Sequence, residues 1–320
     1  MLNQPTTRTR FRFAAAMAAA LVALAASILW IGYAQAQAST PPASHQPDDY
    51  CLSCHSKPGL TMTLPSGEAI TITVTADTLA QSKHSTIGIQ CQNCHTEITG
   101  YPHPAISFNN RRELSRSYYL ACQRCHPTNY TKTMDSIHAK AASSGNPNAP
   151  ICTDCHSFHD VQAPDKPRAN ISNICSKCHT DIYDQYKSSV HGAALIQENN
   201  TDVPVCTDCH SVHNIQDPRT QQFRINSPEL CAGCHSNPQL MGKYGINANV
   251  YNIYKTSWHG VDVSVYQAKW PDNWHNSAVC TDCHGVHDIQ SIRTTSGMQG
   301  SAQVRERLVG TCRKCHTNVP

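Results

Sequence analysis

The sequence predicts a mainly α-helical fold with much irregular chain, built from repeated units, with one small β-hairpin near residues 60–74. Three observations lead there. First, large aliphatics are scarce: from Gln37 onward there are 46 Ile, Leu, Val and Phe in 284 residues, about 16%. A chain below roughly 20% is normally disordered, yet the high charge that accompanies disorder is absent, the formal net charge being +3. Second, the chain holds 18 Cys and 19 His. Third, one short phrase recurs along it, which marks an array built from a repeated supersecondary unit. Something other than aliphatic side chains must therefore build the interior. Arg8, Arg10 and Arg12 account for the whole positive excess. The rest is near neutral, which argues against a nucleic-acid partner.

The elements follow in chain order. Residues 1–12 carry three Arg and no acid, residues 13–31 are apolar apart from Ser27, and two A-x-A sites follow at Ala34–Ala36 and Ala36–Ala38. A charged start, an apolar run and small residues read as an export signal over residues 1–36. The run is also long enough to span a bilayer, since ~18 residues suffice. Retention as an anchor, with membrane association through residues 13–33, therefore stays open. Either way residues 37–320 lie outside the cytoplasm, in the periplasm or on the extracytoplasmic face. Leu60, Met62 and Leu64, then Ile70, Ile72 and Val74, alternate with polar residues around Pro65-Ser66-Gly67. That period of two around a turn predicts the hairpin. Residues 178–191 and 249–259 predict helices that end at His191 and His259, while residues 142–150 and 163–168 read as loops.

Every cysteine falls in C-x-x-C-H. The pairs are Cys51/Cys54, Cys91/Cys94, Cys122/Cys125, Cys152/Cys155, Cys175/Cys178, Cys206/Cys209, Cys231/Cys234, Cys280/Cys283 and Cys312/Cys315. His55, His95, His126, His156, His179, His210, His235, His284 and His316 follow them. This is the attachment pattern of c-type haem. Two thiols three positions apart lie on one side of a turn of backbone, where both reach the vinyl groups of one porphyrin, and the next His reaches the iron. Disulfide scaffolds and zinc ribbons need no His after every second Cys. Nine motifs imply nine covalent haems c.

Ten histidines lie outside the motifs. His159, His213 and His287 trail a motif as H-x-x-H. His84, His138, His191 and His259 precede a motif in S-x-H phrases, and His103 follows His95 by eight residues. Their recurrence at matched places marks them as distal iron ligands. His45 and His275 have no repeat counterpart; one serves the ninth iron, and that role is given to His45. The order of motif, S-x-H phrase, motif and trailing His gives units at 51–103, 122–159, 175–213 and 231–287, closed by a motif at 312–316.

With these motifs the chain resembles the multihaem c-type cytochromes, closest to the class III-like group with doubled C-x-x-C-H motifs. The phrases CTDCHSFH, CTDCHSVH and CTDCHGVH carry the likeness over residues 51–316. The resemblance implies thioether-linked haem on the cysteines, proximal ligation by the motif histidines and distal ligation by the separate ones. It also implies redox-protein partners: a donor such as a membrane quinol dehydrogenase, and an acceptor reductase or extracellular acceptor. A C-x-x-C-K motif, frequent in the nitrite reductases among these relatives, is absent from this sequence. Histidine on both sides of each iron leaves no place for substrate, and without Met the potentials fall low. The expected role is a carrier, not a catalyst, in anaerobic-type respiration. A reductase with one open iron, or a haem-wire subunit of a larger complex or polymer, remains the alternative; oligomeric state is left open.

Overall fold

The computed structural model describes residues 48–103, 107–290, 306 and 309–318. The export segment and His45 lie outside the described residues. The chain divides into Met1–Tyr50 and Cys51–Pro320. Of the first, only residues 48–50 are described, opening helix α1 (Asp48–His55).

The first unit continues with strands β1 (Thr61–Thr63) and β2 (Ala69–Thr71), paired antiparallel with Met62 opposite Ile70. The predicted hairpin is present and shorter than the alternation suggested. It docks back on the first motif: Val74 N–H donates to the His55 carbonyl at 2.8 Å. Helix α2 (Ala76–Gln81), a 3-10 turn (Ser85–Ile87) and α3 (Cys91–Cys94) complete the unit.

Three units then repeat one plan. The first motif of each ends or closes a helix: α5 (Tyr119–Cys125, preceded by α4, Arg111–Ser117), α9 (Asn170–Ser176) and α13 (Gln221–His235). A second helix follows, α6 (Pro127–Met134), α10 (Thr180–Ser188) or α15 (Val250–Thr256); in the last unit α14 (Pro238–Lys243) intervenes. The chain turns a corner and starts a third helix, α7 (Ile137–Ser143), α11 (Val190–Gln197) or α16 (Trp258–Lys269). The second motif forms a single short helix, α8 (Cys152–His156), α12 (Cys206–His210) or α17 (Cys280–His284). Residues 309–313 are helical and carry Cys312. The mainly helical prediction with one hairpin therefore describes the molecule. Among the described residues no helix is long and apolar enough to cross a membrane.

The corner is written in the S-x-H phrase. Ser136, Ser189 and Ser257 are N-caps whose hydroxyls accept the N–H of Ala139, Gly192 and Gly260 at 3.0–3.2 Å. The same hydroxyls donate to Thr133, Tyr186 and Tyr254 carbonyls at 2.6 Å, closing the preceding helix. One serine thus satisfies orphan groups of two helix ends. His138, His191 and His259 are therefore in the first turn of a new helix. This corrects the expectation that the helices end at His191 and His259: α10 and α15 stop before the capping serine. A β-carbon at Gly192 or Gly260 would run into the Tyr186 or Tyr254 carbonyl. Tyr186 and Tyr254 also send their hydroxyls to the Pro204 and Ala278 carbonyls, at 2.7 and 3.0 Å, two residues before the next motif.

The apolar core is slight. Among the described residues it forms two clusters: Tyr186, Leu195 and Val205; and Ile225, Val263 and Val279.

Candidate redox centres

Each CTDCH helix is capped from within. The N–H groups of Ile151, Val205 and Val279 donate to Asp154, Asp208 and Asp282 at 2.7–2.8 Å, and in CQNCH Gln90 N–H donates likewise to Asn93 at 2.7 Å. The same aspartates are bridged by Arg112 at 2.6 Å, by Arg168, and by Arg224 at 2.6 Å. Each arginine precedes the first motif of its unit by seven to ten residues, so it ties the two motifs together. These arginines were missed in the sequence. Their near-constant offset from the motif was the available signal.

The thiols give the order of the motifs in space. Cys122 lies beside Cys152, Cys175 beside Cys206, and Cys231 beside Cys280, bringing together the first cysteines of both motifs in a unit. In each pair that closeness pushes one thiol up and the other down, Cys122 to about 7 and Cys206 to about 6. In the first unit Cys51 lies 4.0 Å from the Tyr101 hydroxyl, which also feels Cys91. Between units the nearness passes to the second cysteines. Cys94, Cys155, Cys209 and Cys283 are each pushed up, first by burial, with Cys125, Cys178, Cys234 and Cys315 of the following motif adding to it. Across the m2–m3 junction Arg124 also donates to the Asn93 carbonyl at 2.8 Å, where m2 and m3 are the second and third motifs. Motifs adjacent in sequence are thus adjacent in space from first to ninth.

Cys54 departs from this pattern. It is the second cysteine of the first motif, and it is exposed on α1, where the neighbouring Ser53 hydroxyl donates to its thiol at 3.9 Å. The other second cysteines influence one another electrostatically across a junction between units. The attachment role of Cys54 rests on the motif alone, one helical turn after Cys51 and immediately before His55.

The histidines meet in twos. Ring centroids are 6.0 Å apart for His55–His103, 6.1 Å for His84–His126, and 6.3 Å for both His95–His159 and His138–His179. They are 6.0 Å for His156–His213, 6.2 Å for His191–His235, and 6.0 Å for both His210–His287 and His259–His316. Each pair holds one motif histidine and one of the eight recurring outlying ones. His284 closes α17 and stands near His235. His275 is differently engaged: its Nε2–H donates to Asp262 at 2.6 Å and its ring stacks on Tyr266.

The donors come from neighbouring units, by a fixed rule that the sequence did not reveal. Trailing histidines 159, 213 and 287 face the second motif of the unit before theirs. His84, His138, His191 and His259 face the first motif of the unit after theirs, the last being His316. At the N-terminal end His103 folds back on His55 within its own unit. Backbone bonds hold the two donor phrases together: Lys83 N–H to Val161, Ile137 N–H to Ile215 and Val190 N–H to Ile289, at 2.8–2.9 Å.

These residues fit an iron porphyrin. A metal–imidazole bond is about 2 Å and the ring centroid lies ~1.1 Å behind the bonding nitrogen, so opposed imidazoles on one metal have centroids about 6.2 Å apart. Among the described residues no three or more His, Cys, Asp or Glu gather as a metal cage. A porphyrin asks the protein for two axial ligands only. His84, His138, His156, His191 and His210 are held below the ordinary histidine pKa, first by burial and then by the facing ring, His191 to about 4. The neutral imidazole is the ligating form. Both amide atoms of Gln221, the Ser227 hydroxyl and the Nε atoms of Arg112 and Arg168 are buried without a protein partner. Such atoms normally find one, and an embedded group with acceptors would supply it to the Gln221 amide N–H, the Ser227 hydroxyl and the two arginine Nε–H groups.

Comparison with known proteins agrees. A family model described as cytochrome c3 matches residues 83–180, and one described as a doubled CXXCH motif matches residues 199–239. Over 156 residues, 43% of this chain and 77% of the relative, the sequence is 26% identical to the cytochrome c-type protein NrfB of Escherichia coli. No solved structure matches the chain. The attachment motifs, the paired histidines and these likenesses make the chain a multihaem c-type cytochrome, a protein that carries covalent haem c and transfers electrons through it.

Proposed function

We propose that the chain is an exported nine-haem conduit in which electrons pass between neighbouring motifs in sequence order. The eight histidine pairs at 6.0–6.3 Å carry the reading. Supporting it is the nearness of cysteines of successive motifs, which influence one another electrostatically from motif to motif. Bound haem supplies one-electron chemistry at its iron. The cysteines would anchor it, the motif histidines would ligate the iron from one side, and His84, His103, His138, His159, His191, His213, His259 and His287 from the other. His275 is hydrogen-bonded to Asp262, and the ninth distal position stays with His45 as the sequence-based choice. The motif histidines end or follow helices, His138, His191 and His259 stand in the first turn of one, and backbone bonds between units hold the donor phrases, so a change of oxidation state would move little, and imidazole on both faces would keep substrate out. Bis-histidine ligation without methionine sets low potentials. A low-potential carrier outside the cytoplasm suits anaerobic-type respiration, between a membrane quinol-oxidising donor and a terminal reductase or extracellular acceptor. The N-terminal residues 1–36 direct export, by cleavage or as an anchor.

The test is made on purified holoprotein. Intact mass should show nine haems, and electron paramagnetic resonance should show low-spin iron. His159→Ala should convert one centre, that on His95, to high spin while nine haems remain. Fewer haems, free motif thiols, or no spin change in His159→Ala would refute the assignment.

A further inference from the structure

The proximal candidates do not share one environment. The Nδ1 of His55 faces the Ile72 carbonyl at 3.0 Å, and the His156 imidazole bonds the backbone at Gln162. At His95 the arrangement is different. Its Nδ1 is 2.9 Å from the Tyr118 hydroxyl, and that hydroxyl donates to Glu97 Oε1 at 2.7 Å. Tyr118 has one proton, and it goes to the carboxylate. The Tyr118 oxygen must therefore accept the Nδ1–H of His95, leaving Nε2 for the metal. Glu97 also reaches the imidazole directly, at 3.5 Å from Nδ1. The Tyr118 ring meets His95 edge-on at 4.8 Å, which fixes the orientation of both. Tyr118 sits where α4 gives way to α5, immediately before the third motif's helix. The neighbouring unit therefore supplies it.

A carboxylate-backed acceptor on a ligating histidine raises the basicity of the ligand. A more basic axial ligand favours the oxidised metal over the reduced one, and hydrogen bonding around the ligand is one of the levers by which a protein sets haem potential. A backbone carbonyl polarises the imidazole less, because it carries no net charge.

We propose that Tyr118 and Glu97 are positioning residues that hold the second haem, on His95, at a lower potential than the same ligands would give it with a backbone acceptor. This rests on His95 being an axial ligand. The second position along the array then becomes a deliberate step in the electron path, set from the side chain of the next unit.

The test is a spectroelectrochemical titration of nine-haem protein, with electron paramagnetic resonance of the oxidised form. Glu97→Gln keeps the Tyr118 hydrogen bond and removes the charge. It should shift one titrating component upward and alter one low-spin signal, leaving the others in place. Adding Tyr118→Phe should move the same component further. His159→Met, outside the attachment motif, identifies that component independently, because methionine raises the potential of the haem it ligates. If His159→Met moves one component and Glu97→Gln moves none, the inference fails while the ligand assignment stands. A Glu97→Gln shift with no altered low-spin signal also overturns it, since charge alone then acts through space. If His159→Met moves no component, the ligand assignment itself fails.

Discussion

Ser157 and Ser211 follow their motif histidines with φ 62°, ψ −172° and φ 69°, ψ 171°, and the third copy of the position is Gly285, φ 86°, ψ 171°. This region is open essentially to glycine and costs other residues about 1–3 kcal/mol. At Ser157 the hydroxyl binds Asp160, which offsets part of that strain. Ser211→Gly should therefore stabilise the protein by ~1 kcal/mol, after the greater unfolded-state freedom of glycine is set against the relieved strain. A raised denaturation midpoint with unchanged haem content checks this; a lowered midpoint counts against it. The strained residue turns the chain so that the trailing histidine heads for the preceding unit. At this scale the sequence was easiest to read for the groups that carry chemistry: every motif histidine was visible, and the eight outlying ones were found by their recurrence. Tyr118 and Glu97 were invisible, because they belong to one unit junction and have no repeat to betray them.

The S-x-H-G phrase is an element as much as a motif. Its serine closes one helix and opens another, and its glycine lets the two backbones approach. Gly192→Ala should push the Tyr186 carbonyl away and cost about 2 kcal/mol, in the range of overpacked sites. It should also loosen the His191–His235 pair, seen as partial loss of one low-spin signal. Gly242→Ala, where a β-carbon meets nothing within 4 Å, should be tolerated. Equal effects of the two substitutions would remove the steric explanation. The helical periodicity around residues 178–191 and 249–259 was real, but it could not show that a capping serine interrupts it. Period and propensity continue smoothly across such a corner. Only the hydrogen bonds of Ser189 and Ser257 reveal that two helix ends share one residue. Which histidine faces which motif was equally hidden, because the pairing crosses from unit to unit.

At the scale of the molecule, the shortage of aliphatics has a physical counterpart in the two apolar clusters among the described residues, each with three buried residues. So small a core cannot offset chain entropy of about 1–2 kcal/mol per residue. Protein produced without haem attachment should show no cooperative thermal transition and rapid, uniform amide exchange; a sharp transition would contradict this. Composition made that deficit legible. It could not show how the units are joined, since the backbone bonds Lys83–Val161, Ile137–Ile215 and Val190–Ile289 involve residues of no distinctive type.

Those three bonds govern how such an array can change length. Each clasps the donor phrases of two successive units, so every interior unit both lends and borrows a histidine ring. Duplicating or deleting a whole interior unit preserves each loan, because the lender and borrower shift together. Cutting the chain between units strands rings on both sides of the cut. The His55–His103 pair, closed within one unit, is the terminus that lets the series begin without a predecessor. Growth by tandem copying is thus built into the register, while fragments are not smaller versions of the whole.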